Sequence, residues 1–142
     1  MWKILEAGDL GEIAREKWMS EKPLACPGIA IGNFDSGNMR SYAVLLVHQN
    51  HEDTGYKLLV FGHETGQLSY AMKIVEQSPN SAAGSFFIHA APIRKVLDEP
   101  SRKKSQTRAR DGILFIDAAE KQNPTNLYFA ASGSYQRQTI NH

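Results

Sequence analysis

The stretch that most constrains the fold is residues 26–61, which holds the densest apolar, β-forming residues of the chain. Polar loops divide it into predicted strands at 29–33, 41–49 and 56–61. Within the second of these, residues 43–47 read Ala-Val-Leu-Leu-Val. A run that is apolar on consecutive residues is typical of a strand covered on both faces. We therefore expect this strand at the centre of a sheet, with a helix as one of its two covering layers.

The β pattern continues from this stretch to the C-terminus. The connections are rich in Gly, Asn, Ser and Pro, and loops too short for crossover helices favour antiparallel hairpins. Further strands are predicted at 68–75, 85–89, 112–117, 126–131 and 135–140, and residues 2–7 are expected to form a short strand or an extended arm.

A helical pattern occupies the N-terminal region. Asp9 is the predicted N-cap, and Glu12 three residues later completes a capping-box pattern. The apolar positions that share one helical face are Leu10, Ile13, Ala14 and Trp18. The helix is predicted over about residues 9–20, ending before Pro23. The sequence thus predicts an α+β fold in one domain, residues 1–142, with this amphipathic helix packed on a meandering antiparallel β-sheet of six to eight strands.

Composition excludes several classes of protein. The chain has 142 residues, of which 42% are hydrophobic and 22% charged, as in an ordinary globular domain. Its formal net charge of +1 supplies no global field for nucleic acid or an anionic membrane. No apolar run approaches the roughly 20 residues of a membrane-spanning helix, and the N-terminus lacks the long apolar core of a signal peptide. The single cysteine, Cys26, excludes an internal disulfide framework.

The loop at residues 32–38, Gly-Asn-Phe-Asp-Ser-Gly-Asn, has the outline of a calcium loop. Calcium loops place oxygen ligands at alternate positions, because the cation needs six to eight of them. Here Asn33 and Asp35 are in register and the next alternate position is Gly37. These two residues are the weak metal candidates, and a structural β-turn is the alternative.

This loop also carries a resemblance to a family. The segment CPGIAIGNFDSGNMRSYAVLLV, followed by GYKLLVF, resembles the G-D-F-D-G-D-G-x-x-D-Y-A-V-L-L signature of FG-GAP/VCBS-like segments, which occur as a single copy in small exported bacterial proteins of uncharacterised function. DGILFIDAAEKQNPTNLYFAASGSYQR is similar to their C-terminal hairpin. The resemblance implies a hairpin at 26–61, periplasmic or secreted localisation and, in the fuller repeat proteins, calcium held at the acidic positions. Those positions fall on Asn33, Asp35, Gly37 and Ser41, so three of the four lack a carboxylate.

Two further groups of side chains suggest chemistry. A histidine and acid cluster around the second hairpin could supply zinc ligands, although solvated turns have the same composition; it comprises His48, His51, Glu52, Asp53 and His63. Cys26 could act as a nucleophile in a small hydrolase with Asp35, His48 and His51, or with His89 or His63 beside it. The alternative is that Cys26 packs at the start of the first strand.

A basic segment interrupts the β pattern at residues 91–110, and residues 98–110 are predicted to form a mobile surface loop. The predicted partner-binding residues are Arg102, Lys103, Lys104, Arg108 and Arg110. The segment has no aromatic residue to stack on bases, so an acidic protein or an envelope polymer is the expected partner rather than nucleic acid. A solvated loop without a partner is the alternative.

Together these features favour a non-enzymatic binding module of the bacterial envelope, possessing no cofactor and acting by protein–protein contact as an inhibitor or immunity-type protein. The alternatives are the Cys/His/Asp hydrolase and a structural or carbohydrate-binding β module, and a cytoplasmic location is the alternative compartment. Rings such as Phe86 and Phe87 would form an exposed recognition patch if the helix leaves one sheet face uncovered.

Overall fold

The computed structural model describes residues 1–21, 23, 25–34, 40–50, 54–63, 70–79, 84–92, 111–118, 125–131 and 134–140. Within these ranges the chain forms nine strands, a 3-10 helix at Ala7–Asp9 and an α-helix, α1, at Glu12–Ser20. The strands are β1 (Trp2–Ile4), β2 (Ile29–Gly32), β3 (Ser41–His48), β4 (Tyr56–His63), β5 (Tyr70–Ser78), β6 (Phe86–Pro92), β7 (Asp111–Asp117), β8 (Thr125–Ala131) and β9 (Ser134–Ile140). The prediction of an antiparallel, β-rich chain with one N-terminal helix is confirmed.

The first sheet is built around β3. Its strand order is β1-β3-β4-β5, and β2 pairs with the half of β3 that β1 leaves open. All of these pairings are antiparallel. The expected central position of the apolar strand is therefore confirmed.

The second sheet is the meander β6-β7-β8-β9, and it packs against the first. The shared core contains an aromatic cluster in which the ring of Tyr56 from β4 lies 5.3 Å from Phe86 and 4.9 Å from Phe115. Backbone hydrogen bonds join the sheets at one margin, where Ile88 N–H donates to Pro27 C=O at 3.0 Å. The structure is thus two antiparallel layers about one core.

The prediction of a single sheet of six to eight strands is wrong, and the physical reason is coverage. One short helix could not cover a sheet of eight or nine strands whose inward positions are apolar, whereas two sheets cover each other. The chain changes sheet between β5 and β6, at a connection that contains Gly84, whose φ of +121° is a conformation that L side chains rarely adopt.

Helix α1 lies on β6 of the second sheet rather than on β3. Leu10 and Ala14 are buried as predicted, but Ile13 is 74% exposed. The predicted N-cap is also wrong: Gly11 precedes α1, and the Asp9 carboxylate instead accepts the Glu6 N–H at 2.9 Å within the preceding 3-10 turn. The nine residues of α1 are too few and too polar to cross a membrane, and the described part of the chain has no helix that could.

Candidate protein-binding face and adjoining cleft

The first sheet has an outer face, directed away from the second sheet. Buried and half-buried residues alternate along β3, so Tyr42, Val44 and Leu46 point outward. Strand register aligns the outward residues of β2 to β5 in two rows that cross the sheet. The rows are Ile31, Tyr42, Phe61 and Met72, and Ile29, Val44, Leu59 and Ile74. With Ile4, Leu46 and Tyr70 at their borders, these residues are here named the outer apolar face.

Large apolar side chains on this face are open to solvent. On β5, Tyr70 is 50% exposed, Met72 56% and Ile74 54%, and Ile31 and Ile4 are about 40% exposed at the opposite margin. An antiparallel sheet with one solvated face usually carries polar residues there. The expected covering of β3 by the helix is wrong, because α1 lies on the second sheet. The apolar run at 43–47 therefore presents Val44 and Leu46 outward.

Charge is confined to the border of the outer apolar face. Lys57 occupies the outward position of β4 next to Leu59, where it is paired with Leu46. Its ammonium lies 4.6 Å from the centroid of the Trp2 ring, which is a cation–π contact. The Trp2 ring also stacks on His48, with the ring centroids 4.0 Å apart. The rows themselves contain no charged side chain. An apolar centre with a polar rim is the composition expected of an interaction surface.

The β5 edge of the first sheet has features that oppose strand addition. The register shifts between Leu58 and Leu59, so Val75 is an extra residue in β5 and forms a bulge. Lys73 stands in the middle of the strand and is exposed. Bulges and lysines are devices that prevent edge-to-edge pairing. A partner is therefore better accommodated by the face of this sheet than by its edge.

A cleft of about 960 Å³ adjoins the face along β2, between that strand and β6. Its apolar walls include Ile31 and Leu114, and its polar lining includes Cys26, Arg40 and His89. This volume lies in the range of small-molecule sites. The structure thus brings Cys26 and His89 to one cleft, as one form of the hydrolase hypothesis requires, whereas His48 is held against Trp2.

An acid that sequence reasoning missed, Glu21, lies beside the histidine of this cleft, His89. Nε2 of His89 lies 2.7 Å from Oε2 of Glu21, just after α1, although the N–H direction is not aligned for a hydrogen bond. Burial lowers the pKa of His89, and the charge of Glu21 opposes that shift in part. The imidazole is therefore neutral at pH 7. Cys26 is exposed, and no hydrogen bond joins it to His89, both of which are described.

Hydrogen bonds hold the start of the predicted calcium loop. The buried hydroxyl of Ser41 accepts the Phe34 N–H at 2.9 Å and donates to Gly32 C=O at 3.0 Å. The Asn33 N–H donates to the Asp111 carboxylate at 2.9 Å, and the Asp111 N–H donates back to Asn33 C=O at 2.8 Å. Of the positions counted as cation ligands, Ser41 therefore bonds to two backbone groups through its side chain, and the backbone of Asn33 is held by Asp111. No motif in the sequence around Asp111 indicates that its carboxylate accepts a hydrogen bond from Asn33.

Several predicted site residues lie outside the described residues: Asp35 and Gly37 of the loop, His51, Glu52 and Asp53 of the zinc cluster, and Arg102, Lys103, Lys104, Arg108 and Arg110 of the basic segment. In the described ranges, no three His, Cys, Asp or Glu side chains form a group able to hold a metal ion. The rings of Phe86 and Phe87 are both buried, so the exposed patch expected there is absent, and the exposed large apolar side chains of the described strands lie on the first sheet.

Comparisons with known proteins supply no relative: no family model, curated protein or solved structure matches this chain.

Proposed function

We propose that this chain is a non-enzymatic protein-binding module that contacts another protein chain through its outer apolar face. The observation that supports the proposal is the pair of uncharged cross-strand rows, ending in the half-exposed Met72 and Ile74. Exposed apolar patches of several hundred Å² on soluble proteins are typical of interaction sites. Leaving such side chains in water is unfavourable, and a partner that covers them recovers about 25 cal/mol for each Å².

The proposal extends to the setting in which the module acts. The FG-GAP/VCBS-like resemblance of residues 26–61 supports the bacterial envelope, either periplasmic or secreted. A small β scaffold that covers part of another protein's surface would act as an inhibitor or immunity-type protein. The basic residues at 102–110 would add an electrostatic contact with an acidic partner or envelope component.

The test is a quantitative affinity capture with a matched pair of variants. Ile74→Lys places a charge on the face, and Ile13→Lys makes the same change on α1, where the side chain is 74% exposed. Tagged wild type and both variants are incubated with envelope and cytosolic fractions of the native host, and bound proteins are measured by mass spectrometry. We expect wild type and Ile13→Lys to retain one stoichiometric protein, and Ile74→Lys to lose it. An untagged copy of this chain counts as such a protein. Equal capture by all three would refute the face as the contact.

The basic segment has its own test. Reversing charge at Arg102, Lys103 and Lys104 together should weaken binding of an acidic partner, more at low salt than at high salt, without lowering the melting temperature. Affinity measured by titration calorimetry at two salt concentrations checks this. Unchanged affinity at both would remove the segment from the proposal.

The cleft supports a second candidate function, a small Cys hydrolase. The specific observation is that Cys26, His89 and Glu21 line the same cleft, so that a thiol, an imidazole and a carboxylate, the three groups of such a site, occur in one place. Such a site requires a thiol more acidic than a free cysteine. The rate of alkylation by iodoacetamide at about pH 7 tests this. A rate well above that of free cysteine, which falls to the free rate in His89→Gln, supports a hydrolase, and the rate of free cysteine in both proteins excludes it.

A further inference from the structure

We infer that the occupant of the outer apolar face is a second copy of this chain, packed face to face across a two-fold axis. The inference rests on the proposed function, because it names the partner of the same surface. Two-fold contacts use the same patch on both subunits, so the patch must be complementary to itself.

Charge makes this face self-compatible. The two rows consist of Ile, Tyr, Phe, Met, Val and Leu, and Lys57 at the border has its ammonium over the Trp2 ring. A strongly acidic or basic partner would find no opposite charge on the rows, whereas a second copy presents an equally uncharged surface. The net charge of +1 adds almost no repulsion between copies, and a net charge near zero favours association.

The area of the face agrees with a reversible dimer. Five side chains are about half exposed, namely Ile4, Ile31, Tyr70, Met72 and Ile74. Since a large side chain has roughly 200 Å² of surface, they expose on the order of 500 Å² per copy. Two copies would then bury about 1,000 Å² in total, which is the lower limit for a specific interface. The half-buried Tyr42, Val44 and Phe61 add to this area.

The geometry favours stacking of faces over pairing of edges. The bulge at Val75 and the exposed Lys73 oppose addition of a strand to β5. Stacked sheets pack about 10 Å apart with interdigitating side chains, and the unbranched Met72 can adjust to an imperfect fit. The copies would therefore form a four-layer assembly with the two first sheets at its centre.

Sedimentation equilibrium of the purified chain between roughly 1 and 200 µM tests the inference, because an interface of about 1,000 Å² is expected to dissociate in the micromolar range. We expect wild type and Ile13→Lys to show the same monomer–dimer equilibrium. Ile74→Lys should weaken it by at least about tenfold, since the dimer would bury two unpaired ammonium groups. If Ile74→Lys does not retain the circular dichroism spectrum of wild type, Met72→Gln replaces it.

A wild type that is monomeric at the highest concentration, or an Ile74→Lys dimer as strong as that of wild type, would overturn the inference. Fluorescence of an anilinonaphthalene sulfonate dye in the same samples separates this failure from that of the proposed function. A monomer whose face binds dye in wild type and Ile13→Lys, but not in Ile74→Lys, retains an accessible apolar face for a different protein. A monomer with equal dye binding in all three would overturn both proposals.

Discussion

Replacing Ser41 with alanine tests how the start of the loop after β2 is held. The Ser41 hydroxyl is fully buried and joins two backbone groups, the N–H of Phe34 at 2.9 Å and the C=O of Gly32 at 3.0 Å. Phe34 itself is only 1% exposed, so water cannot readily take the place of the hydroxyl. A buried N–H that loses its acceptor costs about 1–3 kcal/mol, and the lost bond to Gly32 adds about 1 kcal/mol. We expect Ser41→Ala to lower the free energy of unfolding by about 2–4 kcal/mol.

Urea denaturation followed by circular dichroism measures this change. The midpoint should fall while the slope m stays constant, because the alanine variant exposes the same surface when it unfolds. The matched control is Thr139→Ala, which removes a hydroxyl that donates to Asn126 Oδ1 at 2.9 Å in an exposed pair. That change should stay within about 0.5 kcal/mol. Equal losses in the two variants would show that burial of the Ser41 hydroxyl does not determine its contribution.

Three further outcomes follow from contacts elsewhere. A Cβ at Gly28 would lie 2.6 Å from the backbone oxygen of Leu5, so Gly28→Ala should lower the stability measured by thermal unfolding by at least about 2 kcal/mol. The control is Gly8→Ala, whose Cβ has nothing within 4 Å and which should change stability by less than about 1 kcal/mol. Burial lowers the pKa of His89, so as the pH falls below about 6.5 the unfolded chain takes up a proton there before the folded chain does. The free energy of unfolding of wild type should therefore fall relative to that of His89→Gln between about pH 7.5 and 5.5. A difference between the two proteins that stays constant over this range would contradict this. The exposed Cys26 should react with one equivalent of a disulfide reagent in the absence of denaturant, as followed by absorbance.

The secondary structure of this chain is largely predictable from local patterns. The eight strands predicted from position 29 onward correspond to β2–β9 with ends that agree within three residues, and residues 2–7 contain β1. Turn-forming residues and period-two alternation act over a few residues, which is why they are visible in sequence. Helix α1 was predicted on the same basis. The exposed Ile13 was placed wrongly because helical spacing identifies a stripe without showing how much of it a neighbour covers.

The division into two sheets and the outer apolar face depend on contacts between distant residues. The run at 43–47 was correctly assigned to a central strand, but its covering on both faces was inferred only from the run being apolar on consecutive residues. Met72 and Ile74 alternate with Lys73 in the sequence, which predicts a strand with one apolar side. Only the pairing of β4 with β5 shows that this side continues the outward row of β3 rather than the core. The face is therefore a property of register, which a single sequence specifies weakly.

The described ends of the loop at residues 32–41 show that positions of a ligand pattern can serve hydrogen bonds instead of a cation. In the family pattern, the position of Ser41 is acidic and would serve a cation, yet here its hydroxyl bonds to Phe34 and Gly32. The Asn33 N–H donates to the carboxylate of Asp111, which is 78 residues away. A cation and a set of hydrogen bonds have the same effect, because either one satisfies polar groups that a tight turn leaves without a partner. Counting carboxylates within the loop therefore tests for a cation only, and it does not detect a hydrogen bond from a distant residue such as Asp111.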